Sequence, residues 1–453
     1  MNSFGNESGA ASKSGSPLMR PVMAQRSNLS APVRVLDGFS QPFFLIRLFV
    51  IGIIPFFVVD AGFYQFEMWY SGGNAPITAA ALKVALLAIL LMAGLFRGSI
   101  AKPGLMKMAT VFLAYLSLCA LYQYLSLGVT ALVIASGYNI YYLMFFIDIV
   151  AFCIPLRISD RFLTRLLLGL TIPCTLLGIA QYVTKSPVVP TTSPDGTFTV
   201  HSWHLATHLK VFSFFLEPAD CGIFFSLIAA LAVAFCGRAR NIPLAIPLLV
   251  LSLVMCWLAG ARTEMLGVVA TVVSAVVFTF WGKRNRTRWL PFIWFLAGLP
   301  VAFAAYLLSF SSANSLLVTD TASFSARLAR WTYFLGMFRA SEISTVLLGF
   351  GLVQSTKIDP TGLSGSDNMF LANILAIGVI GLLVFMVFVW FIWEDIRKEA
   401  EKRRSCLYIA VASTFSTVLL LGIYSIVTSY LGALLLLLSV CKIDAEETDG
   451  YAA

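Results

Sequence analysis

Long apolar runs separated by short polar segments occupy the chain from about residue 43 to residue 441. A bilayer core about 30 Å thick is crossed by about 20 helical residues. The runs lie at 43–60, 77–96, 104–125, 131–154, 162–183, 219–236, 242–260, 263–281, 289–310, 368–393, 406–421 and 425–441. This pattern predicts an all-α integral membrane protein with about twelve transmembrane helices.

The composition agrees with this class, because 59% of the residues are hydrophobic and only 12% are charged. Eight cysteines stand singly in or beside apolar runs, which predicts buried apolar side chains without disulfides or a metal site. Residues 1–40 are rich in Ser, Gly and Pro and lack a cleavable signal peptide, so they are predicted to form a disordered cytoplasmic tail. The predicted membrane domain covers 41–441, and 442–453 form a second cytoplasmic tail.

The basic residues are distributed unequally between the two sides of the predicted membrane. Of the 31 Lys and Arg residues, 22 fall in the tails and in every second loop, and seven fall in the remaining loops. The positive-inside rule assigns the richer side, with both termini, to the cytoplasm of a bacterial inner membrane. The net charge of +9 therefore reflects membrane topology and not nucleic-acid binding. Two long loops, about 184–218 and 311–367, are predicted to be periplasmic.

Four arginines on the predicted periplasmic side, Arg262, Arg327, Arg330 and Arg339, oppose this general trend. Arg262 lies in a tight turn between two runs, and Arg327 and Arg330 would share one face if their segment is helical. Like charges at that spacing repel unless an anion neutralises them, and the planar guanidinium fork suits a phosphate. They are candidates for binding a lipid diphosphate. The alternative is snorkelling at the interface or pairing with neighbouring glutamates, which is favoured for Arg339.

Acidic residues precede two of the predicted spans. Glu217 and Asp220 flank a proline, so both suit the start of a helix; Glu217 is alternatively a base or a sugar ligand. Asp367 and Asn368 open the run at 368–393. Ser366 or Asp367 would cap that helix, and the functional alternative makes Asp367 a carboxylate that takes a proton from a sugar hydroxyl.

The chain's three histidines, His201, His204 and His208, fall within eight residues. On a helix they would lie near one face, and the spacing would permit metal binding. No acidic ligand lies nearby, so no metal site is predicted. Sugar contact, a pH-sensitive lid and an ordinary loop remain open.

Four segments resemble the Wzy/WaaL-type O-antigen polymerases and ligases, which include exopolysaccharide repeat-unit polymerases. Residues 210–222 resemble the family's basic-aromatic stretch ending in Glu-Pro-Ser-x-x-Gly, and 261–263 resemble its Ser-Arg-Thr turn. Residues 327–331 with Gly349-Phe350-Gly351 resemble its Arg-x-x-x-Trp and Gly-rich turn. Residues 367–371 with 378–381 resemble its closing element. Their order and periplasmic placement extend the resemblance over about 40–440.

The chain departs from the family pattern at three positions. Lys210 stands where Arg is frequent, which keeps the charge but loses the planar fork. Ser213 replaces a frequent Gly. Ligases typically carry a His-Asn pair in the closing element, and Asp367 stands in place of that histidine. The last departure favours a polymerase over a ligase.

The resemblance implies glycosyl transfer from a glycan on undecaprenyl diphosphate to a lipid-linked repeat unit, without nucleotide sugar, metal or cofactor. A chain-length regulator or export complex is a further expected partner. The implied diphosphate ligands are Lys210, Arg262, Arg327 and Arg330. The acceptor hydroxyl needs a catalytic base, for which the candidates are Asp367 and Glu217. The candidate sugar contacts are His201, His204, His208, Asp220 and Asn368.

Three rival functions differ in what they require. A ligase would use lipid A core as its acceptor. A lipid-linked oligosaccharide flippase or other transporter would show charged residues lining a central cavity, inverted repeats and broken helices; neither an internal repeat nor a matching pair of Gly- or Pro-broken helices is evident in the sequence. A non-catalytic subunit of an export machine would use the long loops for docking.

Overall fold

A computed structural model describes part of the chain, all of it within one compact unit, Leu45–Ala453. The described residues are 102–131, 134, 157–186, 204–205, 208–215, 218–238, 241–259, 262–281, 286–310, 321–351, 368–422 and 442–444. The predicted runs at 43–60, 77–96 and 425–441, nearly all of 131–154 and the tail 1–40 lie outside these residues.

The described part is helical apart from four short strands and a 3₁₀ turn at Arg286–Trp289. The helices are α1 Pro103–Ser126, α2 Asp160–Thr184, α3 Pro218–Cys236, α4 Ile242–Leu258, α5 Arg262–Phe280, α6 Leu290–Phe310, α7 Thr321–Ala340, α8 Ile343–Leu348, α9 Met369–Arg403, α10 Cys406–Ser416 and α11 Val418–Gly422. Every predicted run in this part coincides with a helix, and the run at 406–421 with the pair α10 and α11. The periplasmic loop predicted at 311–367 contains α7 and α8.

Among the described helices, α1, α2, α3 and α9 are each long and apolar enough to cross a membrane. The helical, multi-pass membrane class is therefore confirmed. The number of twelve spans and their orientation stay predictions.

The strands form two small sheets. Strand β1 (Arg157–Ser159) pairs in parallel with β4 (Lys442–Asp444), with Arg157 opposite Lys442. Strands β2 (His204–Leu205) and β3 (His208–Leu209) pair as an antiparallel hairpin. The charge distribution predicts that both of these strands lie on the cytoplasmic side of the membrane.

Helix α3 is the centre of the described core. It packs against α4, α5 and α10, and nearly all its side chains are buried. Its sequence is apolar on every face and rich in alanine, and small side chains allow membrane helices to approach closely. By contrast, α1 and α2 expose apolar side chains such as Leu125 and Val183, which suits helices that face lipid.

The end of α9 carries a charged network that extends the helix ten residues beyond the predicted run. Arg397 is only 4% exposed, and its guanidinium donates to Glu394 and Glu401, each at 2.8 Å. Arg288 Nε lies 2.9 Å from Glu394 Oε1. Lys102, before α1, pairs with Asp395. The charge distribution predicts that all these segment ends lie on the cytoplasmic side. The contacts between them require that they share one side.

The network generates a stability prediction. Arg397→Met should lower the free energy of unfolding by about 3 kcal/mol, because it leaves two carboxylates without their buried partner. The matched change Lys398→Met should cost less than about 0.5 kcal/mol, since the Lys398 side chain is 69% exposed and its nitrogen lies 3.9 Å from Glu394. Thermal unfolding in detergent measures both. Equal midpoint shifts would show that the network contributes nothing specific.

Candidate functional site

The loop at 210–215 is fixed to α2 by one glutamine side chain. Gln181, fully buried in α2, accepts from the backbone amides of Phe212 at 3.2 Å and Ser213 at 2.8 Å through Oε1. Its Nε2 donates to the carbonyl of Ser213 at 3.1 Å. One side chain thus satisfies three backbone groups of an irregular segment. It thereby fixes the loop that begins with the partly exposed Lys210.

Ser213 has a left-handed backbone with φ 53°, a conformation in which glycine carries no steric cost. Unlike a glycine, Ser213 has a side-chain hydroxyl, which donates a hydrogen bond to the carbonyl of Cys174 at 2.7 Å. The amide of Val211 also donates to the carbonyl of Leu258 at 3.1 Å. This loop is therefore joined both to α2 and to the end of α4, just before Arg262 begins α5.

Asp220 lies where an acidic residue with a purely structural role is expected at the start of a helix. The helix begins at Pro218, and Asp220 lies in its first turn with 4% exposure. An acid in the first turn interacts favourably with the helix dipole. The predicted sugar contact of Asp220 stays a prediction, and Glu217 lies outside the described residues.

Helix α7 provides the helical backbone that the two spaced arginines require. Arg327 and Arg330 both lie within it, three residues apart, so their positions are neighbours on one face. Farther along, Phe334 is 1% exposed and packs with Leu371 and Leu375 near the start of α9. The contact sets α7 beside the beginning of α9.

Asn368 is the residue that caps α9. Its side-chain oxygen accepts from the amide of Leu371 at 2.9 Å. The prediction that Ser366 or Asp367 would cap this helix is wrong, because the helix begins one residue later than it assumed. Asn368 thus has a structural role at this oxygen, whereas Asp367 lies outside the described residues.

The short helix α11 brings the starts of α5 and α9 together. A Cβ placed on Gly267 would lie 2.6 Å from Cδ2 of Leu421, and one on Gly422 would lie 2.6 Å from Cε of Met369. Both glycines therefore permit close helix contact. Gly267 is in the second turn of α5, which Arg262 begins, and Met369 follows Asn368. Two of the predicted site segments thus meet at one helix end.

The two described histidines lie in short paired strands, 204–205 and 208–209, and not in a helix. His204 pairs with Leu209, and Leu205 pairs with His208. The helical arrangement considered for metal binding therefore does not apply to these two positions. His201 lies outside the described residues.

The comparison with known protein families matches residues 247–386, which contain α5 to α8 and the start of α9. That segment matches the O-antigen ligase family. The match confirms the predicted resemblance over α5 to α8 and parts of α4 and α9, and it supports a part in O-antigen or polysaccharide assembly. No curated protein matches the chain. The O-antigen ligase segment contains Arg262, Arg327, Arg330, Asp367 and Asn368; Lys210, Glu217 and the histidines precede it.

Sequence reasoning missed the residues that support the candidate site from outside the O-antigen ligase segment. Gln181 lies in α2, and Gln123, which is 2% exposed, lies in α1. A glutamine inside an apolar run was the available signal, because a polar side chain is retained within a membrane span only where it finds a partner.

Gln181→Leu should release the loop at 210–215, because three backbone groups lose their partner. We expect trypsin cleavage after Lys210 to become roughly tenfold faster in detergent. Tyr182→Leu is the control, since Tyr182 is its neighbour and is 45% exposed. Equal cleavage rates in wild-type and Gln181→Leu protein would contradict the assigned role of Gln181.

Proposed function

We propose that this protein polymerises undecaprenyl-diphosphate-linked repeat units at the periplasmic face of the inner membrane. The observation that carries the proposal is the contact of α11 with the starts of α5 and α9, reinforced by the packing of α7 on α9. The contacting residues Gly267, Phe334 and Met369 lie within about two helical turns of Arg262, Arg327, Arg330 and Asn368 along their helices, which supports a shared site for these positions. All of these positions belong to the O-antigen ligase segment.

The proposed reaction breaks the bond between the sugar's anomeric carbon and the diphosphate, and it forms a bond from that carbon to an acceptor hydroxyl oxygen. Negative charge accumulates on the departing lipid diphosphate. Arg262, Arg327 and Arg330 stabilise that charge, since guanidinium groups bind phosphate oxygens with charge-assisted hydrogen bonds. Lys210 adds positive charge from the loop beside the end of α4. No nucleotide sugar is needed, because the lipid diphosphate is the leaving group.

The hydroxyl proton passes to a carboxylate, for which Asp367 is the first candidate and Glu217 the second. Asp367 is favoured because it precedes the cap of α9, whose start packs against α7 and α11. General base catalysis requires a positioned base, and Asn368, the next residue in the chain, is fixed as the cap of α9. The lipid tails remain in the bilayer while the two headgroups meet at the helix ends.

The family's description as O-antigen ligase makes a ligase the second candidate function. The two reactions share donor chemistry and differ in the acceptor, which is lipid A core for a ligase. Asp367 in place of the ligases' histidine favours the polymerase. One feature favours the transport alternative: α9 is broken at Gly378, and a transporter is expected to have broken helices. Three backbone carbonyls beside that break are bonded within the protein, so they do not form an open ion site.

The arginine pair can be tested with a matched control on the same helix. Arg327→Gln with Arg330→Gln should lower chain growth by at least about 100-fold, because the leaving diphosphate loses two cationic partners. Arg339→Gln should retain near wild-type growth, since Arg339 is exposed at the far end of α7. Glycan length on membrane extracts of equal expression measures both. Normal polymer from the double variant would rule out this diphosphate site.

The base can be tested by separating binding from turnover. Asp367→Asn should bind lipid-linked donor normally but slow polymerisation by roughly 100-fold or more, because an amide cannot take the hydroxyl proton. Glu217→Gln serves as the comparison and should have the smaller effect. Full turnover in Asp367→Asn would move the base to Glu217 or to a histidine.

A further inference from the structure

Helix α9 is interrupted within its predicted membrane span. Gly378 has φ 72° and ψ −179°, a conformation that is open only to glycine. A Cβ at this position would lie 2.0 Å from the carbonyl oxygen of Leu347. Gly378 therefore separates a short segment, 369–377, from the long remainder of α9.

The three carbonyls just before the break have substitute donors. In a continuous helix each would accept from the amide four residues later. Here the donors come from α1 and from the turn after α8. The bonds are Phe350 N to Leu375 O at 2.7 Å, Gln123 Nε2 to Ala376 O at 3.0 Å, and the Tyr115 hydroxyl to Ile377 O at 2.7 Å. The end of the short segment is thus hydrogen-bonded from outside α9.

The Gly349-Phe350-Gly351 turn is shaped for this contact. Gly349 has φ 88°, and its Cβ would lie 2.5 Å from the carbonyl oxygen of Ala376. Gly351 has φ 99°, and its Cβ would lie 3.0 Å from Oε1 of Gln123. Both glycines are favoured by their backbone conformation, Gly349 is also required by space, and the turn brings Phe350 N to the broken helix.

Polar groups of α1 complete the junction. The Tyr115 hydroxyl also lies 2.9 Å from the carbonyl of Leu347 in α8, so it contacts both α8 and the end of segment 369–377. The Tyr122 hydroxyl lies 2.8 Å from Oγ1 of Thr345, also in α8. An unpaired backbone group in hydrocarbon costs several kcal/mol, so a break with dedicated partners is a built feature of the fold.

We propose that Tyr115 and Gln123 are positioning residues for the proposed polymerisation reaction. They hold the carbonyl end of segment 369–377, whose opposite end, about 14 Å away, carries the Asn368 cap and adjoins Asp367. Fixing one end of a short rigid helix fixes the other. This inference rests on the proposed function, and it assigns a role to α1, which lies outside the O-antigen ligase segment.

The kinetic test uses purified protein reconstituted with lipid-linked repeat units. Tyr115→Phe and Gln123→Leu should each lower kcat roughly 10- to 100-fold with little change in KM, because a displaced base affects the transition state more than substrate binding. Tyr115→Phe removes a single oxygen, so it should fold. Tyr124→Phe is the matched control on α1, where the side chain is 54% exposed, and should leave kcat unchanged. Wild-type kcat in both test variants would overturn the proposal.

A second measurement does not depend on catalysis. Asp367→Cys would be labelled with a membrane-impermeant maleimide, with and without Gln123→Leu, and the parent without the new cysteine gives the background. Labelling should become roughly tenfold faster when Gln123 is replaced, because the segment then opens more often. Unchanged labelling would refute the positioning role even if wild-type protein polymerises. If wild-type protein makes no polymer, the proposed function fails, and faster labelling would still show that Gln123 fixes this end.

Discussion

Hydrocarbon offers no hydrogen bonds, so each backbone group within the membrane must find its partner in the protein. Most of the described chain meets this constraint as α-helix. The interruption of α9 at Gly378 meets it with donors from two other segments, the side chains of α1 and the turn after α8. Because those partners are specific, the interruption has one geometry, and the start of α9 has a defined place beside α7 and α11.

The same device appears twice beside the candidate site. Gln123 pairs with the broken end of segment 369–377, and Gln181 pairs with the loop at 210–215. Each is a buried glutamine on an otherwise apolar helix. Gln181 holds a loop that begins with the predicted ligand Lys210, and Gln123 holds the far end of the helix segment that follows the predicted base Asp367. The catalytic proposal therefore combines two parts: candidate diphosphate ligands and a base from the O-antigen ligase segment, and a supporting scaffold from the helices that precede it.

The length of the apolar runs was sufficient to place the described helices other than α7 and α8, which lie in a predicted loop, and proline correctly placed the start of α3. It could not locate the break in α9, because the apolar pattern continues across Gly378 and only tertiary contacts reveal the substitute donors. It also ended that helix too early: residues 394–403 are charged, but Glu, Lys and Arg are good helix formers and pair at three- and four-residue spacings. His204 and His208 lie in paired strands, and a sequence of two-residue strands carries no pattern that predicts such pairing.

The central claim is that helix ends gathered at one face of the membrane join lipid-linked repeat units to one another. Wild-type protein in liposomes with purified undecaprenyl-diphosphate-linked repeat units, offered with and without lipid A core, tests this directly. The account predicts a ladder of lengthening glycan that remains on undecaprenyl diphosphate and does not depend on lipid A core. Transfer of glycan to lipid A core alone, or movement of the lipid across the bilayer without chain growth, would contradict it.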